Sequence, residues 1–215
     1  MPRMYGVAFF VDHRFAILID GGFFCRKLKK KLSRHPEVED VVNEISAIRT
    51  HDRFKEYELL RAYYYDSEPA TGKIVHPLTG QTLNLADTLV YRRNKAFLQK
   101  LELQPDVSLR MGELAAHGYK LAPGSLGSGG LKDRDLQEDD FLPHTEQKGV
   151  DLCIGLDIAR LSLRSLVRTI VVVTGDSDFI PAFKFARREG VRVILATMGH
   201  GVKRDLKAHT DGVLD

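Results

Sequence analysis

Two aspartates stand two residues apart in Thr174-Gly175-Asp176-Ser177-Asp178-Phe179, directly after the β-branched run Thr169-Ile170-Val171-Val172-Val173. A buried strand thereby delivers two carboxylates to the turn at its C-terminal end, where ligands bind in open α/β sheets. A structural explanation competes with chemistry here. Asp and Ser are favoured helix N-caps, Pro181 is tolerated in a first helical turn, and an acidic group there suits the helix dipole. A second junction of the same kind shifts the balance. Phe15-Ala16-Ile17-Leu18-Ile19 is another apolar run, ending in Asp20-Gly21-Gly22 ahead of a helix-like segment. A parallel sheet puts both strand ends on one edge, so Asp20 is expected to converge with Asp176 and Asp178. Lys148-Gly149-Val150-Asp151 then opens an apolar segment that reads as a buried helix with Asp151 in its first turn.

Carboxylates gathered at one site repel each other unless a positive charge lies between them. A hard divalent cation is the natural occupant, and ligation by oxygen alone suits Mg²⁺ or Mn²⁺. No His and Cys cluster has zinc-ligand spacing, which argues against zinc. Asp157 lies six residues beyond Asp151, about 9 Å along a helix and about 240° around it. It is therefore not expected to share an ion with Asp151, and pairing with Arg160 at i+3 is its plain structural reading.

The combination Ile19-Asp20-Gly21-Gly22, Lys148-Gly149-Val150-Asp151 and Thr174-Gly175-Asp176-Ser177-Asp178-Phe179 resembles the NYN domain family of the PIN-like ribonuclease superfamily. The order of motifs is similar from Phe15 to near the C-terminus. The resemblance implies a three-layer, PIN-like or Rossmann-like α/β fold with a mostly parallel central sheet flanked by helices. It also implies a metal-dependent ribonuclease site, with Asp20, Asp151, Asp176 and Asp178 as catalytic and metal-holding positions. Asp20 and Asp176 are the expected direct ligands; Asp151 and Asp178 bind directly, act through water or orient the nucleophile. One position departs from the family pattern. Many members carry Asn three residues after the first Asp, and Phe23 stands there, without an amide to offer. This leaves a second reading, a module that binds RNA or protein without cleaving. A similarity to haloacid-dehalogenase-type phosphatases fails because their second Asp would fall at Gly22.

The sequence has 32 Lys and Arg against 29 Asp and Glu, a net charge of +3 that is too mild to identify a partner. Distribution tells more, because Arg26, Lys27, Lys29, Lys30, Lys31 and Arg34 crowd the segment after Asp20. Phosphates approaching an acidic metal site would meet this flank. A solvated helix face is the competing explanation. Lys27, Lys30, Lys31, Lys148 and Ser177 are the expected RNA contacts, with Lys148 either touching phosphate or simply solvated. Tyr63-Tyr64-Tyr65 reads as strand core before it reads as a base-stacking platform.

Positioning these groups requires alternating strands and helices. Strands are expected near 15–20, 59–66, 107–111, 169–174 and 191–196, and helices near 22–34, 37–50 and 91–101, with a loop or hairpin between Pro69 and Gly80. The 215 residues suit one domain spanning 1–215. A flexible insertion is expected at 122–147, which is rich in Gly, Ser and mixed charge. Cys25 and Cys153 read as buried thiols. No apolar run approaches the ~20 residues of a membrane helix, and the start Met1-Pro2-Arg3-Met4-Tyr5 has no signal-peptide pattern, so a cytoplasmic protein is expected. A domain of this size is compatible with a homodimer.

Overall fold

Runs of β-branched and aliphatic residues become neighbouring strands in the computed structural model of the chain, which describes residues 13–127, 130–131 and 135–214. The starting residues Met1 to Tyr5 and the charged tract Lys132-Asp133-Arg134 lie outside the described residues. β1 (Arg14–Asp20) leads into α1 (Gly21–Leu32) and α2 (Val38–Thr50). Then come β2 (Glu58–Ser67), a hairpin of β3 (Lys73–Val75) and β4 (Thr82–Asn84), α3 (Leu89–Glu102) and β5 (Val107–Leu121). A short pair, β6 (Leu126–Gly127) and β7 (Gly130–Leu131), precedes β8 (Phe141–Lys148) and α4 (Val150–Leu163). β9 (Thr169–Val173), α5 (Ile180–Arg188), β10 (Arg192–Ala196), α6 (Arg204–Ala208) and β11 (Gly212–Leu214) follow.

Seven strands form one sheet in the order β11-β10-β9-β1-β2-β5-β8, parallel throughout except for β8 at the edge. This is the expected three-layer α/β architecture. Helices cover both faces, so β1 has no solvent-facing side and reads as an unbroken apolar run. Phe15, Ile17 and Ile19 pack with α1, α2 and α3, while Ala16 and Leu18 pack with α4 and α5. Each of the larger side chains contributes roughly 1.5–3 kcal/mol by leaving water. Tyr63, Tyr64 and Tyr65 are buried in the same two cores, as their strand reading expects, which removes them as exposed stacking platforms.

The connection from β1 runs to β2 on one side, whereas β9 continues to β10 on the other. Strand order therefore reverses between β1 and β9, and a crevice opens outside their carboxyl ends at such a switch point. Asp20 and Thr174 sit at these two ends, because Ile19 pairs with Val173.

One strand is far longer than its sequence suggests. β5 pairs with β2 as far as Gly112 and with β8 from Glu113 onward. A Cβ on Gly112 would lie 2.5 Å from the Lys148 carbonyl oxygen, so glycine lets the end of β8 press against β5. Glu113 to Leu121 hold no β-branched residue, and Ala, Gly, Glu and Lys are depleted in strands. The pairing that forms there also corrects the expected insertion, whose last part, 141–147, lies in β8 rather than in a loop. Pro143 is tolerated in β8 because that strand is an edge.

Candidate active site

Asp20 ends β1 and caps α1. Its Oδ1 accepts the Phe23 backbone N–H at 2.9 Å, and its Oδ2 accepts the Thr174 hydroxyl at 3.2 Å. That hydroxyl in turn accepts the Asp176 N–H at 3.2 Å. Fully buried, Thr174 ties the two strand-end motifs together and fixes the direction of the Asp20 carboxylate. The first Gly of Asp20-Gly21-Gly22 is sterically required, since a Cβ there would lie 2.6 Å from the Tyr65 carbonyl oxygen.

Asp176 begins a 3₁₀ turn over Ser177–Phe179 and accepts the Asp178 N–H at 3.0 Å. Asp176 and Asp178 are exposed and Ser177 is half-buried. Asp151 is exposed in the first turn of α4, which follows Gly149 at φ +80°. Partial burial raises the Asp151 carboxyl above its ordinary 3.8, and the charges of Asp20, Asp176 and Asp178 raise it further. Asp151 thus feels the charges of carboxylates from two other chain segments, at the ends of β1 and β9. Among the described residues none of the four forms an ion pair with a Lys, Arg or His.

Oxygen-only donors without a protein counter-charge have the chemistry of a Mg²⁺ or Mn²⁺ site. Among the described residues, no group of three or more His, Cys, Asp or Glu side chains is closed tightly enough to hold an ion by itself.

Asp157 is not part of the site. Its Oδ2 accepts the Tyr65 hydroxyl at 2.9 Å and the Arg110 Nε–H at 3.0 Å, and the Arg110 guanidinium lies 4.8 Å from the Tyr63 ring centroid. Arg110 on β5 therefore takes the place expected for Arg160, a pairing that sheet register sets and local spacing does not reveal. Asp66, at the end of β2, is a carboxylate that sequence reasoning passed over. Burial and the charge of Asp20 raise it above its usual value, and it accepts the Gln147 Nε2–H at 2.9 Å. A strand ending Tyr65-Asp66 was the available signal.

Beside Asp20 and Asp66 opens a cleft of about 500 Å³ between α1, α3 and the β5–β8 pair. Of the basic residues on α1, Arg26 and Lys29 line it. The expected contacts Lys27, Lys30 and Lys31 do not: Lys27 lies 5.4 Å over the Phe23 ring, Lys31 faces Glu44 of α2, and Lys30 is simply exposed. Helical rotation separates these residues, which a count of charges along the sequence ignores. Arg34 is held by Asp40 at 2.7 and 2.8 Å. Lys148 is exposed where β8 meets α4. Cys25 lines the cleft as well, and burial pushes its thiol up to about 11, which favours the protonated form at neutral pH. Phe23 is buried, and a Cβ on Gly175 would lie 2.6 Å from its ring. The ring thus supports the acidic turn from below.

Residues 115–215 match the NYN domain, a PIN-like ribonuclease family. The matched region holds Asp151, Asp176 and Asp178 and leaves Asp20 outside. No curated protein matches the chain. A solved structure of a protein of unknown function from Vibrio parahaemolyticus is similar at 16% identity, covering 94% of this chain and 92% of that one, with a TM-score of 0.49.

Proposed function

We propose that the chain, taken as one domain with an insertion between β5 and β8, is a ribonuclease that hydrolyses RNA phosphodiester bonds with Mg²⁺ or Mn²⁺. One observation carries this reading: Asp151 is raised by partial burial and by the charges of Asp20, Asp176 and Asp178 from two other segments, and among the described residues none of the four is ion-paired with a Lys, Arg or His. The NYN match over 115–215 supports it. Asp20 and Asp176 would hold the ion, with Asp151 and Asp178 holding it through water or orienting the attacking water. The ion supplies Lewis acidity toward the phosphate and lowers the pKa of water. Thr174 keeps Asp20 turned to the crevice, and the Asp176 cap keeps Asp178 beside it. The half-buried Ser177 faces the same turn and is assigned a contact to substrate oxygen, as is Lys148 at the start of the acidic helix.

A module that binds RNA or protein without cleaving is the second reading, and Phe23 favours it. Its ring fills core space where an amide would serve the site. Labelled single-stranded and structured RNA incubated with Mg²⁺, Mn²⁺ or EDTA separates the two. Cleavage lost with EDTA and in Asp176→Asn supports the nuclease. Tight binding without cleavage under every metal condition supports the module.

A further inference from the structure

The cleft beside the acidic edge carries positive charge that the hydrolytic chemistry leaves unused. Arg26 and Lys29 reach into it from α1, and Arg93 reaches in from α3. All three are exposed, and among the described residues none forms an ion pair. Arg34, one turn further along the chain, is by contrast neutralised by Asp40. His35 in the cleft wall is pushed below its ordinary value by burial and then by the charges of Arg93 and Lys29. Cations gathered around a concave surface without a counter-ion favour an anionic occupant.

The inner end of the cleft meets the acidic site. The point where a Cβ on Gly22 would sit is 3.3 Å from Arg26 Nη1, 3.3 Å from Gln147 Oε1 and 3.4 Å from Asp20 Oδ1. Glycine there keeps the passage open, and a strand leaving Asp20 meets Arg26 first. One turn beyond Arg93, Phe97 lies partly buried with its ring 6.0 Å from that of Tyr64 and gives the cleft an apolar surface. The volume of about 500 Å³ lies in the range of small-ligand pockets, about 300–1,000 Å³, so the cleft has room for roughly one or two nucleotides of a single strand.

We infer that this cleft binds the single-stranded stretch of RNA next to the scissile phosphate, with Arg26, Lys29 and Arg93 on backbone phosphates and Phe97 beneath a base. The inference rests on the ribonuclease reading of the adjoining site. Its test is binding of a short labelled single-stranded RNA in EDTA, followed by fluorescence anisotropy across a salt series. Each of Arg26→Gln, Lys29→Gln and Arg93→Gln should reduce the slope of log affinity against log salt by about 0.7, and weaken binding about fivefold at 0.1 M salt. Lys184→Gln with Arg188→Gln removes charge at a separate cavity near the end of α5 and should leave affinity within about twofold. A blunt RNA duplex of the same length should bind at least tenfold more weakly. Cleft variants that bind like the α5 variant, or a duplex that binds as well as the single strand, would overturn the assignment. Should binding follow the cleft charges while no metal condition yields cleavage, the hydrolytic reading fails and the cleft stands. Should Asp176-dependent cleavage occur while the cleft variants bind and cleave like the wild type, the cleft alone fails.

Discussion

Asp20 performs two tasks that a pair of substitutions can separate. As the cap of α1 it accepts the Phe23 amide and the Thr174 hydroxyl, and as a carboxylate it contributes charge to the acidic edge. Asn caps a helix about as well as Asp, so Asp20→Asn keeps the Phe23 bond on Oδ1 and deletes the charge, while its NH2 can donate to the Thr174 oxygen in place of accepting from the hydroxyl. In metal-free protein the loss of a charge-assisted hydrogen bond is offset by relief of repulsion with Asp151. Stability should therefore stay within about 0.5 kcal/mol of wild type. Asp20→Ala removes the cap, worth about 1 kcal/mol. It also leaves the fully buried Thr174 hydroxyl without its acceptor, at a cost of about 1 kcal/mol or more. About 2 kcal/mol in a chain of this length is about 4–8 °C in Tm.

Metal then supplies a second reading of the same proteins. An ion that binds only the folded state at 100 times its Kd stabilises by about 2.7 kcal/mol, about 5–11 °C here. Thermal unfolding in EDTA and in a Mg²⁺ or Mn²⁺ series should show this gain in wild type and lose most of it in Asp20→Asn. RNA cleavage should vanish in both variants. The reasoning is refuted if Asp20→Asn unfolds in EDTA as early as Asp20→Ala, or if wild type gains nothing from either metal.

Other outcomes follow from single contacts. Raised above 3.8 in the fold, Asp151 and Asp66 bind protons more tightly folded than unfolded. Their contribution favours the folded chain below the unfolded value and is lost as pH rises through the folded values. Urea unfolding of metal-free protein should therefore show less loss of stability with rising pH across that window in Asp66→Asn than in wild type. Tyr65→Phe keeps the buried ring but removes its bond to Asp157, which should cost about 1 kcal/mol in the same assay without changing metal-dependent cleavage. Phe23→Asn empties core space against Gly175 and should cost about 3 kcal/mol by thermal unfolding. No rise in cleavage rate should accompany it; a stable, faster variant would contradict the packing role given to Phe23.

Local sequence was sufficient for the inner sheet because its strands are buried on both sides. Phe15-Ala16-Ile17-Leu18-Ile19 and Thr169-Ile170-Val171-Val172-Val173 need no partner to be recognised, and their ends place Asp20 and Asp176. The outer sheet was less legible. The second half of β5 is strand only because β8 pairs with it, and neither segment has the composition of an isolated strand. Asp157 failed for a related reason: its partners Tyr65 and Arg110 lie 92 and 47 residues away, beyond any helical spacing rule.

The acidic edge also shows why the capping and chemical explanations of Asp20 and Asp176 were never true competitors. A carboxylate at a strand end can bond a helix's free N–H groups with one oxygen and leave the other toward the crevice. Asp20 caps through Oδ1 while the Thr174 hydroxyl holds Oδ2, and Asp176 caps through its bond to the Asp178 amide. Each cap removes the rotational freedom that a ligand would otherwise lose on binding. Substituting the buried Thr174 by Val should therefore weaken the metal-induced rise in Tm even though residue 174 donates nothing to the ion. An unchanged metal shift in Thr174→Val, measured beside Asp20→Asn, would show that the hydroxyl serves packing alone.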